Sequence, residues 1–195
     1  MSDQPSITTA RLLLRHWTDN DQDAFAALNA DPRVMAHFPK VLDRAESDTT
    51  ATRIRDHFAR HGFGLWAVEV PGVAPFVGFV GLSIPQFHAH FTPCVEIGWR
   101  LAYQYWGHGY ASEGARAALA LGFNELKLVE IVSMTAVDNQ RSRDVMHRIG
   151  MTYSPVDDFD HPQLPAGDRL LRHVLYRLSR TTWERRAAVE PVGNG

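Results

Sequence analysis

The sequence predicts a mixed α+β fold: a single domain with a central twisted mixed sheet of about six to seven strands, flanked by helices. Three observations carry this. "GLWAVEV", "APFVGFVGLSI" and "PCVEIGWRLA" are rich in Val, Ile, Phe and Trp and follow one another between Pro and Gly residues, as an antiparallel meander does. Apolar residues recur at steps of three and four over 111–126, the period of an amphipathic helix. The element order is strand, helices, three strands, helix, strand, helix, strand, which is not the strict alternation of a doubly wound parallel sheet.

The elements follow in order along the chain. "ARLLLRHW" (10–17) is β-compatible, with Arg11 and Arg15 at its margins. "TDNDQDAFAALNA" supplies short polar capping residues before Phe25, Ala26 and Leu28. In "DPRVMAHF" (31–38), Asp31 is placed as an N-cap and Pro32 as the first helical residue. Residues 45–61 carry Ile54 and Phe58 at a four-residue step, and Gly62 is set to end that helix. After the three strands and the helix over 111–126, "LVEIVSMTAV" (128–137) reads as a strand and "NQRSRDVMHRIG" as a short helix with Val145, Met146 and Ile149 on one face. "SPVDDFDHPQLPAGD" (154–168) is a Pro- and Asp-rich loop before a last strand, "RHVLYRLS" (172–179). The domain is expected over 8–183, with a flexible N-terminus (1–7) and a disordered tail (184–195). No repeat and no linker divides the chain.

The 195 residues, 45% hydrophobic and 22% charged, are those of an ordinary globular chain. A formal charge of −2 lacks the basic excess of a protein that coats nucleic acid. The one cysteine, Cys94, excludes an intrachain disulfide and a Cys-based zinc cluster. The N-terminus lacks the pattern of a signal peptide. No apolar run approaches the roughly 20 residues of a membrane helix. Together these predict a cytoplasmic protein with no membrane and no direct nucleic-acid partner.

"YWGHGYASEGARAALALGF" (105–123) places Gly107 and Gly109 at the mouth of the amphipathic helix. A helix N-terminus offers unpaired N–H donors and a positive dipole end, which suits an anion, often a phosphate. A P-loop would need Lys followed by Ser or Thr after the second glycine; Tyr110, Ala111 and Ser112 stand there instead. A dinucleotide fingerprint fits both glycines and finds Glu130 about twenty residues on, but Ser112 occupies its third glycine and no βαβ unit opens it. A plain strand-to-helix turn would also use glycine.

"QYWGHG" (104–109) matches the pattern Q/R-x-x-G-x-G/A of the GNAT superfamily of N-acetyltransferases. "TARLLLRHW" resembles that family's first strand and "VEIGWRL" its fourth. "AVDNQRSRDVMHRIGM" resembles its fifth strand and following helix, with Asn139 and Ser142 as an N-x-x-S pair. "HVLYRLSRTTW" resembles the closing strand of the ribosomal-protein N-terminal acetyltransferases, the RimJ/RimL-like subgroup. The resemblance spans about 8–183 in family order. It implies the acyl-CoA N-acyltransferase fold, acetyl-CoA as co-substrate without a metal, an amine acceptor, a homodimer as one assembly, and direct attack in a ternary complex, with pantetheine entering where the fourth and fifth strands splay.

On that resemblance, backbone amides of Trp106, Gly107, His108, Gly109, Tyr110 and Ala111 form a nest for the coenzyme diphosphate. Glycine at 107 and 109 permits positive φ and close approach of phosphate oxygens. The backbone of Trp99, Arg100 and Leu101 pairs with pantetheine amides and supplies the oxyanion donor. An amine nucleophile must lose a proton, since α-amines have pKa near 8 and lysine near 10.4. Glu96, on the strand beside the thioester, is the candidate base, with Glu125 and Glu130 as competing acids explained equally well by structural roles. Ser142 can hydrogen-bond the leaving sulfur or simply open its helix. Asn139 can hold a pantetheine amide, cap that helix, or both. Cys94 has no activating neighbour in sequence, and His88 and His90, which can share one strand face, lack a third ligand for a metal. Asp160 and His161, in "FDHPQLP", can orient an amine or belong to a polar turn. Phe38, Phe63, Trp66 and Phe87 are core residues, some of which can line an acceptor cleft. A catalytically silent acyl-CoA-binding module and a nicotinamide-dependent enzyme are the rival readings.

Overall fold

The structure, a computed structural model, describes residues 6–189. It is mixed α+β, and the chain divides into two compact units: the residues up to Ser83 with Ile97–Ala118, and Ile84–Glu96 with the residues from Leu119 onward. Of the three boundaries, two fall inside secondary-structure elements and the third at the end of a strand.

The first unit holds β1 (Ile7–Thr8), β2 (Leu13–Arg15), α1 (Gln22–Ala30), α2 (Arg44–His61), β3 (Leu65–Val70) and β4 (Ala74–Ser83). It also takes β5 (Glu96–Leu101) from Ile97 on and α3 (Tyr110–Asn124) as far as Ala118. Its strands lie in the order β1-β2-β3-β4-β5, antiparallel from β1 to β4. Leu12, Leu14, Trp66, Val68 and Val80 are buried, and β4 is buried on both faces from Phe76 to Leu82. Helix α2 turns Ala51, Ile54 and Phe58 inward at steps of three and four, and Phe58 meets Trp66 edge-on at 5.2 Å. Asp43 and Glu46 cap its start reciprocally, and Gly62 ends it at φ 74°.

The second unit holds β6 (Glu130–Ala136), α4 (Gln140–Arg148), β7 (Thr152–Tyr153), β8 (Phe159–Asp160), β9 (Arg172–Ser179) and α5 (Arg180–Val189). Strand β9 pairs antiparallel with β6 from Glu130↔Ser179 to Ala136↔His173, and with both β7 and β8. On its other side β6 pairs in parallel with Glu96 through Glu96↔Val132, which makes the strand pairing mixed. Ile131, Val132, Leu175, Tyr176 and Leu178 are buried here. Among the described residues no helix is long and apolar enough to cross a membrane.

Five expectations change. Nine strands form among the described residues, because β1, β7 and β8 are two-residue pairings with no hydrophobic period to reveal them. Residues 31–38 make turns and no helix: Val34 and Met35 donate back to the Asp31 carbonyl, but Pro39 biases Phe38 away from helical geometry and leaves too short a run to propagate. The expected tail from 184 is helical to Val189, anchored where Trp183 stacks on Phe123 at 5.6 Å and the Arg180 side chain donates to the Leu128 carbonyl. Ile7, assigned to a flexible N-terminus, lies in β1; residues 1–5 and 190–195 fall outside the described residues. His88 and His90 lie exposed between β4 and β5, not on a strand.

Candidate active site

The glycine loop runs from a turn after β5 into α3. Gly107 and Gly109 both adopt left-handed backbone, φ 81° and 82°, as sequence predicts. No atom lies within 4 Å of a Cβ built on Gly107, so that position faces open space. Trp106 fastens the loop, its indole Nε1 donating to the Leu101 carbonyl at 2.7 Å. His108 stacks on Tyr110 at 5.5 Å and leaves its carbonyl to the Arg11 guanidinium. Tyr110 and Ala111 begin α3, whose first amides lack intrahelical acceptors.

The backbone of β5 is less free than expected. The Leu101 carbonyl is taken by Trp106. The Arg100 carbonyl lies so near Gly78 that a Cβ there would approach it to 2.1 Å. Trp99 is half-buried. The Arg100 side chain turns to Asn29, Phe38 and Phe79.

In the second unit, Glu96 is partly buried at the head of β5, and burial lifts its carboxyl to about 7. The competing acids are accounted for: Glu130 pairs with Arg177 at 2.8 Å, and Glu125 is exposed just past α3. The acid at ribose-binding spacing is thus held in an ion pair. Burial, then the charge of Glu96, pushes the Cys94 thiol up to about 11, which keeps it an inert thiol.

Asn139 caps α4. Its Oδ1 accepts from the Ser142 amide at 3.3 Å, and its Nδ2 donates to Thr135 Oγ1 at 2.8 Å and Ser142 Oγ at 3.2 Å. The side chain therefore ties β6 to α4, the capping role. Ser142 Oγ accepts from Asn139, which leaves its hydroxyl proton available to donate. Asp160 and His161 are not brought together. Asp160 pairs with Arg172 at the surface, 3.3 Å apart. His161 joins a ring cluster, 4.7 Å from Phe87 and 4.9 Å from His173. Burial, then His173, lowers its pKa and keeps it neutral. Among the described residues no three potential ligands gather for a metal.

Residues 11–152 match the family model described as an acetyltransferase (GNAT) domain. The chain belongs to the GNAT acetyltransferase family. It is similar to the uncharacterized protein YkkB of Bacillus subtilis, 33% identical over 79% of this chain and 89% of that protein. It is also similar to the FsC-acetyl coenzyme A-N(2)-transacetylase of Aspergillus fumigatus, 31% identical over 93% of this chain and 79% of the relative. The crystal structure of a GNAT acetyltransferase from Bacillus anthracis superposes with a TM-score of 0.73 at 27% identity, covering 91% of this chain and 99% of that one.

For a GNAT acetyltransferase the sequence reading missed one device. Glu113, in the first turn of α3, accepts from Thr9 Oγ1 at 2.7 Å, from the Arg11 amide at 2.9 Å and from Arg11 Nε at 2.7 Å. Burial opposes its ionisation, but the bonds from Thr9 and Arg11 outweigh this and hold the carboxyl below its ordinary range. Arg11 thus offsets an acid that would repel phosphate, and its Nη1 holds the His108 carbonyl at 3.0 Å. The signal in sequence was weak: Arg11 at a strand margin and Glu113 in a helix first turn, far apart in the chain.

Proposed function

We propose that this N-acetyltransferase moves an acetyl group from acetyl-CoA to a primary amine by direct attack in a ternary complex. One observation carries the chemistry: Glu96 stands at the head of β5, where burial lifts its carboxyl to about 7 and no cation of the described residues pairs with it. A base with that value accepts a proton from an ammonium group near neutrality and releases it readily. Glu96 is the base, directly or through a water. The amides of the glycine loop, from Trp106 to Ala111, hold the coenzyme diphosphate, and the amides of Trp99 to Leu101 stabilise the developing oxyanion. The Ser142 hydroxyl donates to the leaving thiolate, with Asn139 fixing its position.

The acceptor is a protein N-terminal amine or a small-molecule amine. The motif "HVLYRLSRTTW" supports the ribosomal-protein subgroup and a protein N-terminus. The name of the Aspergillus relative, with its acetyl coenzyme A and its N(2) nitrogen, supports nitrogen as the acceptor in either case. Parallel calorimetric titrations with acetyl-CoA, coenzyme A, NADH and ATP test the coenzyme. Heat with the two coenzyme A species alone, followed by turnover on a panel of amines, is the expected result. Binding of NADH instead would give the glycine loop to a dinucleotide; binding without turnover would make the protein a silent acyl-CoA module.

A further inference from the structure

Arg100 lies near the end of β5, and its guanidinium is buried within the first unit. Nη1 donates to Asn29 Oδ1 at 2.6 Å. The guanidinium carbon stands 4.0 Å from the centre of the Phe38 ring and 5.3 Å from that of Phe79. Asn29 is itself fixed, fully buried on α1, with Nδ2 donating to the buried Ser47 Oγ at 2.8 Å. That bond turns the amide oxygen, not its nitrogen, toward the arginine. One corner of the guanidinium is thereby satisfied.

The opposite edge is not. Among the described residues Nε has no hydrogen-bond partner although it is shielded from solvent, and the bond to Asn29 is the one hydrogen bond the Arg100 side chain makes. No carboxylate of the described residues pairs with it, and burial alone pulls its pKa down to about 10. The contrast within the same chain is direct. Arg15 is held by Asp21 at 2.8 Å and Glu69 at 2.9 Å, and Arg177 by Glu130 at 2.8 Å and Asp157 at 3.0 Å. A buried cation without a counter-ion is costly, and such groups concentrate where a ligand completes them.

There is room on the same face of the strand. Gly98 precedes Arg100 by two residues and so shares its face of the strand. A Cβ built on Gly98 meets nothing within 4 Å, and its φ is not left-handed. Neither the backbone nor a neighbour demands glycine at that position, and the missing side chain leaves open space on the strand face that Arg100 shares.

We propose that Arg100 recognises the acceptor: its Nε–Nη2 edge receives a carboxylate carried by the amine substrate, seated over Gly98. The acceptor class is then an amine that bears a carboxylate, such as an amino acid or short peptide. A planar carboxylate matches that edge with two parallel N–H···O bonds, and the ring faces of Phe38 and Phe79 keep the fork in place. This rests on the acetyltransferase reading above.

The test uses the full chain labelled with ¹⁵N-arginine. The Arg100 Nε–H resonance is assigned by its absence in Arg100→Lys, and wild-type protein is titrated with acetate, inorganic phosphate and ethylamine. Acetate is expected to move the resonance saturably, and ethylamine to leave it in place. No movement with acetate, or movement with phosphate alone, overturns the proposal. Kinetics supply a second arm: β-alanine and glycylglycine are compared with their amides as acceptors. The wild type is expected to prefer the acids, and Arg100→Gln to reduce that preference about tenfold to a hundredfold, through a higher KM for the acids. Equal use of acids and amides by a wild type that binds acetyl-CoA sinks the carboxylate inference alone. A wild type that binds no acetyl-CoA sinks the acetyltransferase reading beneath it.

Discussion

Replacing Glu96 with glutamine keeps the side-chain volume and removes the one proton site proposed to drive the reaction. Burial lifts this carboxyl from 4.5 to about 7. A group with that value is roughly one-tenth ionised at pH 6 and roughly nine-tenths ionised at pH 8. A rate that depends on the carboxylate therefore rises about tenfold across that window. The amine acceptor titrates too, but it does so identically for both proteins, so the ratio of wild-type to variant kcat/KM isolates the protein's own group. We expect that ratio to climb about tenfold from pH 6 to pH 8, with the variant slower by about 10²- to 10⁴-fold at the upper end. The assay is coenzyme A release at fixed acceptor. Parallel profiles for the two proteins would place the base elsewhere. Stability gives an independent reading with a definite sign. Between 4.5 and about 7 the folded protein keeps a proton that the unfolded chain has lost. Stability contributed by the protonated carboxyl is thus complete below 4.5 and falls as pH rises through about 7. The Tm of wild type relative to Glu96→Gln should drop between pH 5 and pH 8; a constant difference would contradict the burial argument.

Gly107→Val adds a β-branched side chain at φ 81° and fills the open space in the loop. Coenzyme A affinity, measured by calorimetry on the folded variant, should fall at least about a hundredfold, since both backbone strain and occlusion oppose the nest; an unchanged Kd would remove the diphosphate from this loop. Ser142→Ala should lower turnover about tenfold while leaving coenzyme A affinity intact, as expected for loss of one bond to a charged leaving group. Full turnover in that variant would reduce Ser142 to its place at the start of α4. Gly78→Ala forces a Cβ to within 2.1 Å of the Arg100 carbonyl, and should cost about 3 kcal/mol in urea unfolding. A cost below about 0.5 kcal/mol would mean that β4 and β5 separate there without effort.

Much of the fold was legible because local periodicity and burial agree. Ile54 and Phe58 predicted the inner face of α2 and Gly62 its end, and both hold. The long strands announced themselves by Val, Ile, Phe and Trp. What sequence could not convey depends on partners distant in the chain. The capping signals at Asp31 and Pro32 are real but local, and Pro39 stops the turn they begin. The charged stretch of α5 gives little sign of a helix until Phe123 and Leu128 receive Trp183 and Arg180. In the candidate site, the loop glycines and the Ser142 position follow from motif and backbone demand. Asp160 and His161, adjacent in sequence, part company because Asp160 ends β8 paired with Arg172 at the surface, while His161, just past the strand, packs against the rings of Phe87 and His173. Arg100 was expected to act through its backbone, and its unusual side-chain environment emerges only once Asn29, Phe38 and Phe79 converge on it.

The clamp formed by Thr9, Arg11 and Glu113 makes the glycine loop answerable to the start of the chain. Strand β1 contributes only two residues at the end of its strand order, a place where fraying begins. Each time that edge opens far enough to release Thr9 and Arg11, the His108 carbonyl loses its restraint and the glycine loop proposed to hold the diphosphate loses its shape. Coupling of this kind acts in both directions. A ligand on the loop must therefore slow hydrogen exchange of the amides between Ile7 and Leu12, and a bulky fusion placed against Ile7 must weaken a ligand bound about a hundred residues later in the sequence.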